Sequence, residues 1–458
     1  MFMRSARAAA LAAAFVSPKD ININDQTSVR SVASTLAYEL MSWYSGNVTD
    51  TPDTIGSFPE PYYWWESGAA WGAMLDYSHY TGDSSYDSVI TQALLSNVGP
   101  KYDLMVPAHY GSEGNDDQAF WAFAILNAAE RNLAQPNDTV PPWLDIAVNI
   151  WGTMAARWNS TSCGGGLAWQ IFESNPNGMS YKNSVSNGGF FQISARLARA
   201  TGNETYYQWA QKIWDWSEKI GFVDPNYTVY DGADSKDQCA KVNQLTFSYA
   251  QGIYTYGAAV LYNYTNGDKT WETRANGLLS AASAYFSPYK NATNVMYERS
   301  CEPFELCNND MKSFKGYLSR FMWATTRMMP STLPRVQMWL NASAIAAAKA
   351  CSGGKNGTVC GQKWYVGGFD GVTGLGQQLT ALETVQGLLV AEATPPFRVG
   401  EIKHIGGPKI SAPTNNSTAT SPAPEATPTK QGNVASGIFI DWRWMLLVLT
   451  SSWILILV

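Results

Sequence analysis

Apolar residues recur along most of the chain in helix-length runs separated by short polar turns, and the strict alternation of β-hairpins is rare. A repeat underlies the pattern. The segment GAAWGAMLDYSHYTGDSSY spans Gly68 to Tyr86, and GGFFQISARLARATGNETY spans Gly188 to Tyr206 in step with it. A third copy, YGAAVLYNYTNGDKTW, runs from Tyr256 to Trp271 with a turn one residue longer. Each copy opens on small residues, continues as an apolar helix, turns at T-G-D/N and carries an aromatic three or four residues later. Glycine at Gly82, Gly202 and Gly267 suits a left-handed helix end. The following Asp83, Asn203 or Asp268 can N-cap the next helix. The unit is therefore an αα-hairpin. Twelve helices are predicted, at roughly 26–44, 62–80, 84–97, 116–133, 141–158, 184–200, 203–219, 245–263, 268–287, 312–328, 333–349 and 375–392. Six hairpins close into an all-α fold, an (α/α)6 barrel; an open helical solenoid is the alternative. The long aromatic-rich connections 159–183, 220–244 and 288–311 favour a barrel with elaborated loops on one face.

Composition narrows the chemistry. Of 458 residues only 15% are charged, against about 25% in an ordinary domain. Aromatics make up 13%, with 19 Trp, 24 Tyr and 17 Phe. The balance of 31 basic and 37 acidic residues carries no nucleic-acid footprint. His79, His109 and His404 are the three histidines, and no two share metal-ligand spacing on one helix, so no metal or cofactor is expected. Few charges and many flat rings point to an uncharged polar partner, first of all a carbohydrate.

The ends of the chain and its cysteines suggest secretion. None of the six cysteines forms a CxxC pair, and the even count points to disulfides. Cys163 is expected to pair with Cys239, Cys301 with Cys307, and Cys351 with Cys360, among fifteen formal pairings. Eleven N-glycosylation sequons begin at Asn47, Asn137, Asn159, Asn203, Asn226, Asn263, Asn291, Asn341, Asn356, Asn415 and Asn416. Residues 1–19 read as a weak signal peptide, 20–400 as one catalytic-sized domain and 401–432 as a Ser/Thr/Pro-rich stalk. Residues 433–458 combine small residues, a polar spacer and an apolar tail, the order of a GPI-anchor signal with Asn433 or Gly432 as attachment site. Asp441 and Arg443 interrupt any stretch long enough for a transmembrane helix, which needs about 20 apolar residues.

There is no GxSxG, P-loop, HExxH or dinucleotide fingerprint, so chemistry falls to carboxylates. Asp116 and Asp117, in GNDDQAFW, open an apolar helix among Tyr110, Phe120, Trp121 and Phe123. One aspartate suffices to cap a helix; the second is unexplained by capping. Two like charges about 5 Å apart at an effective dielectric of about 20 repel by about 3 kcal/mol. A sheltered pair therefore retains one proton near neutral pH, as a retaining glycosidase requires. Candidate sugar-cleft residues are Trp64, Trp65 and Glu66 before the first repeat helix, Asn115 beside the aspartates, and Trp169 in CGGGLAWQI. Asn187 in NSVSNGGF, Tyr249 in TFSYAQG and Lys315 in SFKGY stand at three further helix starts. Each, taken singly, also reads as capping or core.

Together YYWWESGAAWG, GNDDQAFWA, GGLAWQI, KNSVSNGGF, TFSYAQG, SFKGYLSRF and GLGQQLTALETVQ, in this order over nearly the whole domain, resemble glycoside hydrolase family 76. These are the α-1,6-mannanases, and the likeness is to GPI-anchored fungal cell-wall members. The resemblance implies an (α/α)6 barrel and a retaining mechanism with Asp116 as nucleophile and Asp117 as general acid/base. It implies action on α-1,6-mannan or on the mannose core of GPI glycans, at the outer leaflet or wall. Wall glucan is an implied acceptor when the product is transferred, and the protein is expected to be monomeric. The motifs leave hydrolysis and transfer both open. Two other readings compete: a non-catalytic wall lectin or scaffold on the same barrel, and an inverting glycosidase with carboxylates about 6.5–9.5 Å apart.

Overall fold

The computed structural model describes residues 16–46, 54–135, 137, 139–175 and 178–403. Residues 1–15 of the expected signal peptide and everything from His404 onward, including most of the expected stalk, Asn433 and the apolar tail, lie outside the described residues.

Twelve helices are present among the described residues. They are α1 Gln26–Met41, α2 Trp64–Thr81, α3 Asp87–Ser96, α4 Asn115–Glu130, α5 Trp143–Ala156 and α6 Ser184–Thr201. Then come α7 Glu204–Lys219, α8 Ser248–Tyr264, α9 Lys269–Ala281, α10 Phe314–Met328, α11 Leu333–Ala350 and α12 Leu375–Gln386. The even-numbered helices form the inner ring, each packed on the next, and α12 closes back on α2. The odd-numbered helices form the outer ring. The expected (α/α)6 barrel is what the chain adopts, and the solenoid is ruled out by that closure. The N-terminal helix α1 packs chiefly against α12, so the last hairpin joins the two ends of the domain.

The inner helices are buried on almost every face; in α6 every residue from Ser184 to Ala200 is buried. Such a helix has no solvent face to keep polar. Close approach between inner helices relies on glycine facing an aromatic ring. A Cβ added at Gly68 of α2 would lie 2.6 Å from the Trp121 ring of α4, and one at Gly188 of α6 would lie 2.4 Å from Tyr254 of α8, inside van der Waals contact. The repeat turns behave as expected at Gly82 and Gly202, which end α2 and α6 at φ 77° and 71°. Asn203 and Asp268 cap α7 and α9 by accepting from Thr205 and Thr270 N–H groups. Asp83 departs from expectation. It accepts from Ser85 N–H and the Tyr77 hydroxyl, and α3 begins only at Asp87.

All six inner helices start at the same end of the barrel. The long connections 159–183, 220–244 and 288–311 enter α6, α8 and α10 there. A small antiparallel sheet lies among them: β1 Tyr181–Asn183, β2 Gly232–Asp234 and β3 Val242–Asn243, in the order β1-β2-β3. Tyr181 is in register with Asp234, and Gly232 with Asn243. The three disulfides are those expected: Cys163–Cys239, Cys301–Cys307 and Cys351–Cys360. The first two tie down loops at this end.

Gly68→Ala is expected to destabilise the fold by about 1–3 kcal/mol, because a methyl group there must displace the Trp121 ring. Chemical denaturation measures this, and an unchanged midpoint would show that the ring has room to move.

Candidate active site

The site is built where α4 begins. Gly114 N-caps the helix, placing Asp116 and Asp117 in its first turn. The Asp117 side chain reaches back and accepts the Gly114 N–H at 2.7 Å. Asp116 accepts its neighbour's N–H at 3.2 Å and the Asn183 side-chain N–H at 3.5 Å. Both carboxylates thus fold over Gly114. A Cβ there would collide with Asp116 Oδ1 and crowd the Trp169 carbonyl at 3.1 Å and Asp117 Oδ2 at 3.4 Å. Glycine is needed here for close approach, since its φ of −104° is ordinary.

The segment before α4 is anchored to the loop that carries Trp169. Asn115 N–H donates to the Trp169 carbonyl at 2.8 Å, and Gly114 bridges Gln170. That loop is clamped from behind by Lys182, whose ammonium donates to the carbonyls of Asn159, Ser162 and Gly165 at 3.0, 2.9 and 2.5 Å. Burial pushes Lys182 down to about 8.

The electrostatics follow from shelter and from like charges. Asp116 and Asp117 are half-buried, yet the protein packed around them disfavours charge, and both are raised above the carboxylate range. Burial is the largest cause for each; for Asp117 the charge of Asp116 comes next and displaces it further. These effects outweigh the helix dipole, which favours a carboxylate at an N-terminus. Two more carboxylates face the same mouth. Asp310 accepts the Trp65 indole N–H at 3.1 Å, and burial raises it to about 6. Asp231 accepts the Tyr181 hydroxyl at 2.5 Å and Asn243 at 3.1 Å. Behind Asp117, the Glu113 carboxyl is 1% exposed and raised by burial to about 8.

An aromatic wall completes the mouth. Trp65 packs on Phe120 at 4.7 Å and on Tyr317 at 5.8 Å. Tyr249 stacks on Phe314 at 3.9 Å. Trp65, Tyr249 and Trp169 are all half-buried and belong to this end of the barrel. Trp64, by contrast, is sandwiched between His109 at 4.7 Å and Trp121 at 5.2 Å and donates to Asn97, so it is packing rather than cleft.

Four other sequence candidates are structural. Glu66 is 1% exposed and accepts the Tyr63 N–H at the start of α2. Asn115 bridges Arg157 and the Ala168 carbonyl. Asn187 is fully buried and holds both polar groups of the Leu167 backbone, at 2.8 and 3.1 Å. Lys315 is fully buried against Glu302 at 2.7 Å and the Gln362 carbonyl at 2.6 Å. Each is polar because a buried backbone group or charge needs a partner. Sequence reasoning passed over Asp231, Asp310, Asn183 and Glu113 as site residues. Asn183 lies within the polar start NSVSNGGF, and Glu113 immediately precedes GNDD.

The sequence profile of glycosyl hydrolase family 76 matches residues 28–399. The chain belongs to glycosyl hydrolase family 76. It is thus a glycoside hydrolase. It is 42% identical over 386 residues to mannan endo-1,6-alpha-mannosidase DCW1 of Saccharomyces cerevisiae, covering 84% of each chain. It is 40% identical over 393 residues to mannan endo-1,6-alpha-mannosidase DFG5 of Candida albicans, again covering 84% of each. Among solved structures it is similar to Dfg5 from Chaetomium thermophilum in complex with glucosamine, at 38% identity and TM-score 0.80, covering 85% of this chain and 97% of that one. The GH76A α-1,6-mannanase of Salegentibacter shares the fold at 22% identity and TM-score 0.61, covering 78% of this chain and 98% of that one.

Within this family frame two outcomes are expected. Gly114→Ala should lower kcat by at least about 100-fold while the protein stays folded, because the methyl group displaces both carboxylates; steady-state kinetics with circular dichroism checks this, and wild-type kcat would contradict it. The second concerns pH. A carboxyl raised in the folded state binds more protons folded than unfolded, so its contribution to stability is lost as pH rises above the unfolded value. Asp117→Asn should therefore raise the melting temperature at pH 8 relative to its effect at about pH 2.5, which lies below the ordinary aspartate value, so that the carboxyl is protonated folded and unfolded alike. An equal shift at both pH values would contradict the raised pKa.

Proposed function

We propose that this protein is a retaining endo-α-1,6-mannosidase that acts on α-1,6-mannan or the mannose core of GPI glycans. The observation carrying the reading is the aspartate pair folded over Gly114, sheltered enough to hold one proton between two carboxyls. The relatives named mannan endo-1,6-alpha-mannosidase support the substrate class. The glucosamine bound by the Chaetomium relative supports a glycan of mixed sugars.

In this reading Asp116 is the ionised partner and Asp117 the acid. Asp116 attacks the anomeric carbon as the glycosidic C–O bond breaks, and the Asp117 proton goes to the leaving oxygen. The product is a glycosyl ester on Asp116 and a free leaving hydroxyl. Asp117, now ionised, takes a proton from the attacking water or from an acceptor sugar hydroxyl, and the ester bond breaks. Water gives hydrolysis; a wall-glucan hydroxyl gives transfer of the glycan and whatever protein it carries.

The disulfides fit an oxidising compartment. With the sequons and the C-terminal signal at Asn433, they support a secreted glycoprotein held by a GPI anchor at the outer leaflet or wall. A glycan-binding scaffold would leave the proton-sharing pair without a role.

Incubation with an α-1,6-linked mannoside plus a glucan oligosaccharide, read by mass spectrometry, tests the assignment. Asp116→Asn and Asp117→Asn should each lower turnover by at least about 100- to 10,000-fold. Wild-type rate in either variant, or glycan binding without any product from the wild type, would overturn it.

A further inference from the structure

The barrel has a second polar chamber at the end opposite the catalytic mouth. The inner helices finish there, and the segment from Val390 to Pro396 passes beneath them. A cavity of about 30 Å³ remains between them, with Asp76, Glu130, Arg131, Arg196, Arg320 and Arg327 on its walls. That is room for two or three water-sized spheres.

Most of the charges are paired. Glu130 takes Arg196 in a two-pronged bond at 3.1 and 2.8 Å. Asp76 is held by Arg131 and by Arg320 Nε at 2.9 Å, and Arg320 also reaches Glu383 at 2.5 Å. The count is four guanidinium groups against the three carboxylates Asp76, Glu130 and Glu383, among the described residues that line the cavity or pair into it. Arg327 is the cation left over; its Nη2 donates only to the Ala393 carbonyl, at 3.2 Å.

Two buried donors on these walls are unused, whereas Asp76 Oδ2, which makes no hydrogen bond, is answered by the Arg320 charge at 2.9 Å. Arg131 Nη1 and Arg327 Nε are buried and have no acceptor. A guanidinium N–H can only donate, so what fills the space must accept. The local field agrees. His79, on the same wall, is pushed down to about 4, by burial first and by the Arg131 charge next; Arg327 adds to this, while Asp76 and the bond to the Thr394 carbonyl oppose it. A neutral His79 adds nothing to the excess positive charge, and no carboxylate on these walls is left to cancel it. Water satisfies the two N–H groups but leaves the charge, whereas an anion answers both.

We propose that this closed-end cavity binds a small inorganic anion of halide size, chloride being the simplest, held between Arg131 and Arg327. The ion contributes to the stability of the barrel and lies far from the catalytic aspartates, since α4 alone is 16 residues long and separates Asp116 from Glu130.

The test uses the folded wild-type chain in two salts. Its melting temperature is measured in rising sodium chloride and in sodium gluconate at matched ionic strength. Chloride should raise it by about 2–5 °C along a saturating curve that gluconate does not produce. Arg327→Gln should abolish the difference between the salts. Crystals grown with bromide should show an anomalous peak between Arg131 and Arg327, a readout that stands even if the variant does not fold. Identical melting curves in the two salts, or a bromide-soaked cavity with no anomalous peak, would overturn the proposal and leave the cavity holding water.

Discussion

Six helices without a polar face must be shielded from water on all sides, and this requirement organises the molecule. They shield one another only by closing into a ring, and an outer layer of helices covers the rest. Each inner helix follows the same hairpin rule, so all six run in the same direction. Their N-termini meet at one end and their C-termini at the other.

That parallel arrangement divides the charges. N-terminal ends carry partial positive charge and favour carboxylates; C-terminal ends favour cations. Asp116 and Asp117 start α4, and Asp310 and Asp231 precede α10 and α8. At the far end Arg199 and Arg327 donate to carbonyls of the segment that closes the barrel. The mouth is therefore acidic, aromatic and open, and the base is basic and closed. The dipole alone would lower the aspartate pKa values. Burial, joined for Asp117 by the charge of Asp116, reverses that preference and leaves both carboxyls above their usual range.

The fold was largely legible because its cause is local. The turn T-G-D/N between apolar runs repeats, and two of its three glycines end helices as expected, at Gly82 and Gly202. The aspartate pair was legible because one carboxylate is enough for a cap. The remaining site residues were not, for a physical reason. Asn187 and Lys315 look in sequence like ligand-facing groups, but they satisfy a buried backbone and a buried glutamate. Asp310 and Asp231 look like ordinary loop aspartates, and only the folding of 288–311 and 220–244 over the barrel end brings them to the mouth. A polar residue in an apolar context reads alike whether it faces a ligand or a backbone; long-range contacts make the difference.

The central claim is that Asp116 and Asp117 work as nucleophile and acid/base through a glycosyl ester. The most direct measurement is proton NMR of the anomeric centre in the first product released from an α-1,6-mannoside, before mutarotation. Two successive displacements predict an α product. A β product would mean that water attacks in one step, with Asp116 as a base, and would contradict the account.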